Sequence, residues 1–132
     1  MDRQELDEYL QKTYSTAAEY PWKTAPSYAV YRHADNKKWF AVIMDISKRK
    51  IGFADDEIIS VVNLKIEPSL VGALLENDGV YPAYHMNKNH WITVELTDKT
   101  SLEQISWLVE MSYDNTKIKI RNRAGEKELY GK

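Results

Sequence analysis

With 132 residues, 43% of them hydrophobic, the chain is long enough to bury one sizeable core and too short for two domains of ordinary size. It contains no cysteine, which excludes disulfides, thiolate zinc sites and thiol nucleophiles. The net charge of -2 argues against a general polyanion binder, yet charge is segregated: residues 1–19 sum to -3, 20–66 to +3, 67–116 to -6 and 117–132 to +4.

The start, Met1-Asp2-Arg3-Gln4-Glu5, lacks the basic flank and apolar run of a secretory signal. Apolar runs such as Phe40–Met44 fall far short of the ~18 residues of a membrane span. A soluble, cytoplasmic protein with no membrane partner is the expectation.

In chain order, Leu6, Leu10, Tyr14 and Ala17 mark one face of a helix over roughly Asp2–Ala18, whose other face is acidic (Asp2, Glu5, Glu8) and could attract cations or serve only solubility. Pro21 and Pro26 end helical structure, and Tyr28–Arg32 reads as a strand. After an Asp35-Asn36 turn, Trp39–Ile46 is a second strand, with Phe40, Val42, Met44 and Ile46 expected toward the core. A basic turn, Ser47-Lys48-Arg49-Lys50, and an acidic one, Asp55-Asp56-Glu57, precede a third strand, Ile58–Lys65, with Val62 and Leu64 inward.

Glu67-Pro68 opens a short helix, since proline is tolerated in a first turn and a carboxylate there suits the helix dipole. Trp91–Leu96 alternates with Ile92, Val94 and Leu96 inward, and Thr100 with Glu103 makes a capping box for a last helix burying Leu102, Ile105, Leu108 and Val109. The pattern is α+β: an antiparallel sheet with helices on one face and the other face open, over residues 1–117. Residues 118–132 form a basic tail or an added hairpin.

Chemistry concentrates in Val80–Trp91, which holds two histidines, a lysine, two asparagines and three aromatics without one acid. Asn87-Lys88-Asn89 is turn chemistry. A loop of Met86–Asn89 would set His85 and His90 opposite each other in a hairpin, roughly 5 Å apart at Cβ. Such a pair could ligate a metal, act as acid and base, or bind an anion, but no third ligand or nucleophile stands at a recognisable spacing. The plainer reading is that these polar groups tie down their own loop. No catalytic residue, cofactor or metal is therefore assigned.

The strand phases also put Trp39, Ala41, Asn63, Lys65, Trp91 and Thr93 on the open face, suited to stacking on bases, to docking a protein, or simply to covering the sheet. Lys48, Arg49 and Lys50, as a hairpin tip, could reach phosphates or be only a solvated turn.

Pro82-Ala83-Tyr84-His85-Met86-Asn87-Lys88-Asn89-His90-Trp91-Ile92-Thr93-Val94 resembles the signature of the MmcQ/YjbR family of small bacterial proteins. Shorter matches are Trp22-Lys23, Lys38-Trp39-Phe40-Ala41, Val62-Asn63-Leu64-Lys65 with Pro68, and Ser112-Tyr113, covering about residues 2–117. Tyr20-Pro21-Trp22-Lys23 departs from the family in lacking the glycine often found after its proline-aromatic step. The resemblance implies a frataxin-like (CyaY-like) two-layer sandwich and a double-wing DNA-binding protein. The resulting expectation is a non-enzymatic nucleic-acid-binding domain using His85, Asn87, Lys88, His90 and Trp91 with Trp39, Lys65, Lys48, Arg49 and Lys50. Its rivals are a protein-interaction module on the sheet face around Trp39 and Trp91, and a metal or catalytic site at His85 and His90.

Overall fold

The computed structural model describes residues 1–117; the expected tail or hairpin at 118–132 lies outside the described residues. Helix α1, Arg3–Tyr14, begins with a capping box in which Asp2 accepts from the Glu5 backbone N–H while the Glu5 side chain accepts from that of Asp2. Two of the three acids on its exposed face are thus engaged as caps. The helix ends earlier than its pattern suggested, because Ser15 turns left-handed at φ 51°.

Strands β1 (Ala29–Arg32), β2 (Trp39–Ser47), β3 (Ile58–Lys65), β4 (Val80–Pro82) and β5 (Trp91–Glu95) form one antiparallel sheet in the order β1-β2-β3-β5-β4. A short 3₁₀ turn, Lys48–Ile51, leaves β2, and helices α2 (Pro68–Leu74) and α3 (Leu102–Thr116) complete the chain's regular elements among the described residues. Leu6 and Leu10 of α1, Val71 and Leu74 of α2, and Ile105, Leu108 and Val109 of α3 pack together on one sheet face. That face presents Ala29, Tyr31, Ala41, Ile43, Val62, Leu64, Ile92 and Val94, so the fold is the α+β arrangement with helices in one layer.

The faces of β3 and β5 agree with their alternation, but β2 does not. The pairing moves from Tyr31–Ala41 to Arg32–Trp39, leaving Phe40 as an extra residue, a β-bulge. Phe40 and Ala41 both join the helix-side core, and beyond the bulge the phase is inverted. Ile43 therefore faces the helices, while Val42, Met44 and Ile46 build a second cluster with Val30 and Val61 on the opposite face. That face is not open: Trp22, Tyr28 and Tyr84, from the segments before β1 and after β4, pack against it.

The bulge also interrupts the β2–β3 ladder, whose first pair is Ala41–Leu64. Ser112 of α3 fills the gap: its buried hydroxyl donates to the Phe40 carbonyl at 2.6 Å and accepts from the Lys65 N–H at 2.8 Å. Ser112→Ala should therefore leave two backbone groups short of a partner and cost about 2–3 kcal/mol, measurable by denaturant unfolding.

Helix α3 is capped by Ser101, whose side chain accepts from the Gln104 N–H, rather than by Thr100. Thr100 instead closes the loop after β5, accepting from the Thr97 N–H and donating to the Glu95 carbonyl. With the helix starting one residue later, Leu102 is exposed rather than buried.

At the other end of α3, buried His33 meets the Thr116 hydroxyl at 2.8 Å and packs on Phe40 and Tyr113. Burial holds its imidazole below the usual 6.5, with Asp35 and the Tyr113 backbone opposing and Lys117 and Lys38 assisting. The unfolded chain takes the proton first, so this contribution to stability is complete above about pH 6.5 and is lost as pH falls through the folded pKa. Thermal midpoints should drop between about pH 7 and pH 5, less steeply in His33→Gln, which does not titrate.

Candidate functional site

The segment between β4 and β5 is held by a buried polar network under the sheet face opposite the helices. Asn63 of β3 pairs with Thr93 of β5 on that face, and both are buried. Asn63 Nδ2 donates to the Tyr84 carbonyl at 2.8 Å, Thr93 Oγ1 donates to Asn63 Oδ1, and the Tyr84 N–H donates to Thr93 Oγ1 at 3.0 Å. Side chains of two central strands thus replace a backbone ladder and pull residues 83–84 across the sheet.

This network overturns the opposed-histidine hairpin. The β4–β5 ladder stops at Pro82–Ile92, leaving residues 83–90 as the connection, so His85 and His90 are not a cross-strand pair. His85 instead sits left-handed at φ 65°, a strain of about 1–2 kcal/mol for a residue with a Cβ, and its ring lies 4.0 Å from that of Tyr84. Asn87 organises the second half: its side chain accepts from the Asn89 N–H, and its carbonyl accepts from those of His90 and Trp91. Lys88 Nζ returns to the Ala83 carbonyl at 2.7 Å. His90 is exposed, its carbonyl accepting from the Ile66 N–H to extend the β3–β5 pairing.

His85 forms one wall of a cleft of about 470 Å³, within the range of small-ligand sites. Trp22, Tyr28 and Trp39 supply aromatic walls, with Met44 and Met86 among the remaining lining. Trp22 meets Trp39 edge-on at 5.5 Å and Tyr28 at 5.9 Å, and the Arg32 guanidinium lies 6.0 Å from the Trp39 ring. Burial, then the neighbouring Tyr84 hydroxyl, keeps the Tyr28 phenol above its ordinary pKa, so it is neutral at physiological pH. Among the described residues, no carboxylate lines this cleft.

Three lysines stand near its lining residues along the chain, none of them in the lining itself. Lys65 shares the sheet face with Asn63 and pairs with Trp91, Lys23 follows Trp22, and Lys88 lies just beyond Met86. Among the described residues none of the three is in an ion pair. Trp91 is half-buried beside Lys65 and does not line the cleft.

The basic turn lies elsewhere. Lys48 follows Ser47, which pairs with Ile58 at the start of β3, whereas Lys65 ends that strand, ~23 Å away at ~3.3 Å per residue. There Lys48 pairs with Glu57 at 3.1 Å and Arg49 with Asp56 at 2.8 Å, and Arg49 also donates to the Ala54 carbonyl. The hydrogen bonds that Lys48 and Arg49 donate to Glu57 and Asp56 raise the pKa values of both cations. Only Lys50 of the three is outside an ion pair among the described residues. The structure thus brings Trp39 and His85 into the lining of one cleft, with Lys65 on the same sheet face as Asn63 and Lys88 held on the Ala83 carbonyl, and leaves Lys48, Arg49 and Lys50 at the far end of β3.

Trp22, Tyr28 and Met86 escaped the sequence reading as lining residues. Trp22 and Tyr28 border a proline-punctuated segment with no period to place it, and only the clustering of aromatics around Pro21 and Pro26 hinted at a covering loop. Among the described residues, no group of three or more His, Cys, Asp or Glu is placed to hold a metal ion, and no helix is long and apolar enough to cross a membrane.

A family model described as YjbR matches residues 11–115. The uncharacterised protein YyaQ of Bacillus subtilis (strain 168) is 34% identical over 117 residues, covering 89% of this chain and 99% of its own. A crystal structure of a Pseudomonas syringae protein superposes with a TM-score of 0.86 at 48% identity, covering 89% of this chain and all of that one. A solution structure from the same organism gives 0.82 at 46%, over 92% and 98% of the two chains. Deinococcus radiodurans protein DR2400, at 20% identity and a TM-score of 0.63, covering 94% and 86%, shares the fold. The match across residues 11–115, together with a bacterial relative of nearly the same span, makes this chain a member of the YjbR family.

Proposed function

We propose that this protein is a non-enzymatic nucleic-acid-binding domain whose contact surface is the sheet face opposite the helices, around Trp39, Lys65, His85 and Lys88. The observation that carries this reading is an aromatic cleft with no carboxylate in its lining among the described residues, within two residues of Lys23, Lys65 and Lys88 along the chain, none of them in an ion pair among the described residues. Cations that follow a phosphate backbone beside aromatic faces that accept bases are the two parts of single-strand recognition. His90 and Trp91 border the same end of the sheet, and Asn87 shapes the turn that carries Lys88.

The Lys48–Lys50 turn has no role in this reading, since Glu57 and Asp56 already occupy Lys48 and Arg49. Lys48→Ala with Arg49→Ala should leave the affinity for a labelled oligonucleotide within about twofold, since neither cation is free to release counterions from phosphate. A loss of tenfold or more in that variant would move the surface to the other end of the sheet. The rival protein-docking reading is separated by the same titration: it predicts no oligonucleotide binding at low salt.

A further inference from the structure

We infer that the cleft between Trp22, Tyr28, Trp39 and His85 receives one unstacked nucleobase, so that the protein selects single strands over duplex; this rests on the nucleic-acid reading above. The cleft lies in the sheet face beneath side chains from two separate loops, one carrying Trp22 and Ala25, the other His85 and Met86. A stacked base in a duplex presents only its edge and has no free face to offer such walls. A base swung out of a single strand does, and its extrusion is easiest where no pairing must be broken.

The walls suit a flat heteroaromatic ring. The indoles of Trp22 and Trp39 stand at 90° to each other, forming a corner rather than a closed stack. Met44 and Met86 give polarizable contacts, and the exposed His85 ring can exchange a hydrogen bond with a base edge. Asn63, also at the cleft, is not available for readout, because both ends of its amide are committed to Tyr84 and Thr93. The lining therefore offers stacking and little edge discrimination, which predicts broad base tolerance. The left-handed His85 fits this role: the Tyr84–Asn63 hydrogen bond anchors the preceding residue, and the strained backbone sets the imidazole over the cleft.

The test uses the full chain and labelled twelve-nucleotide strands at low salt. Replacing every base by an abasic unit should weaken binding about tenfold or more, and duplex of the same length should bind about tenfold or more weakly than the single strand. Titration with adenosine 5′-monophosphate should shift the indole N–H resonances of Trp22 and Trp39 and leave that of Trp107, exposed on α3, unmoved. His85→Ala, at an exposed position where folding is least at risk, should reproduce part of the single-strand loss. If abasic and normal strands bind equally, or if Trp22 and Trp39 do not respond while strands still bind, base capture is wrong and the nucleic-acid reading survives. If no strand binds at all, both fall.

Discussion

Asn63→Ala is expected to destabilise the fold by about 3–4 kcal/mol and to release residues 83–86 from the sheet. Asn63 is 1% exposed and satisfies the Tyr84 carbonyl and the Thr93 hydroxyl at once. Removing it strands both groups in a buried setting, at about 1–3 kcal/mol each, before any cavity is counted. Chemical denaturation would measure the loss, and amide exchange at Tyr84 would report the release. Thr93→Val should act in the same direction but leave the Asn63–Tyr84 bond in place. Because the network sets His85 over the cleft, Asn63→Ala is also expected to weaken binding by more than its own absence of contact would suggest.

Lys23→Glu combined with Lys65→Glu should reduce oligonucleotide affinity at least about 30-fold while leaving the unfolding midpoint nearly unchanged. Lys23 follows Trp22 and Lys65 shares the sheet face of Asn63, both outside any ion pair among the described residues, and under the proposed function reversing them would turn two phosphate contacts into repulsions. The stability of the fold does not depend on them, since surface charges without partners contribute little. The contrast with Lys48→Ala and Arg49→Ala isolates position from charge: all four residues are basic, and only Lys23 and Lys65 lie within two residues of the cleft lining.

Much of the fold was legible because β3 and β5 alternate cleanly. Val62, Leu64, Ile92 and Val94 face the helices as their spacing predicts, and Asn63, Lys65, Thr93 and Trp91 share the other face. β2 misled because the bulge at Phe40 shifts the phase by one residue, and a bulge leaves no mark in a run as uniformly apolar as Phe40–Met44. The polar-rich segment 80–91 was identifiable as special, but its geometry was not. Pro82 closes the ladder, and the groups that redirect the chain, Asn63 and Thr93, are remote in sequence from the loop they hold.

The charged turns carry a similar lesson. A basic run followed by an acidic one within a single β2–β3 connection reads separately as two patches; once the hairpin closes, they neutralise each other. The cleft itself needed tertiary information, since Trp22 comes from a segment without period and reaches Trp39 only because that segment crosses the sheet.

The most direct measurement is fluorescence anisotropy of a labelled single-stranded twelve-mer against the full chain and against the Lys23→Glu, Lys65→Glu variant, from about 50 to 200 mM salt. Three phosphate contacts predict a log–log slope of roughly -2, an affinity loss of about 20-fold over that range, and collapse of binding in the variant. No binding by micromolar protein at the lowest salt, or binding that the variant leaves intact, would contradict a nucleic-acid interface at this cleft.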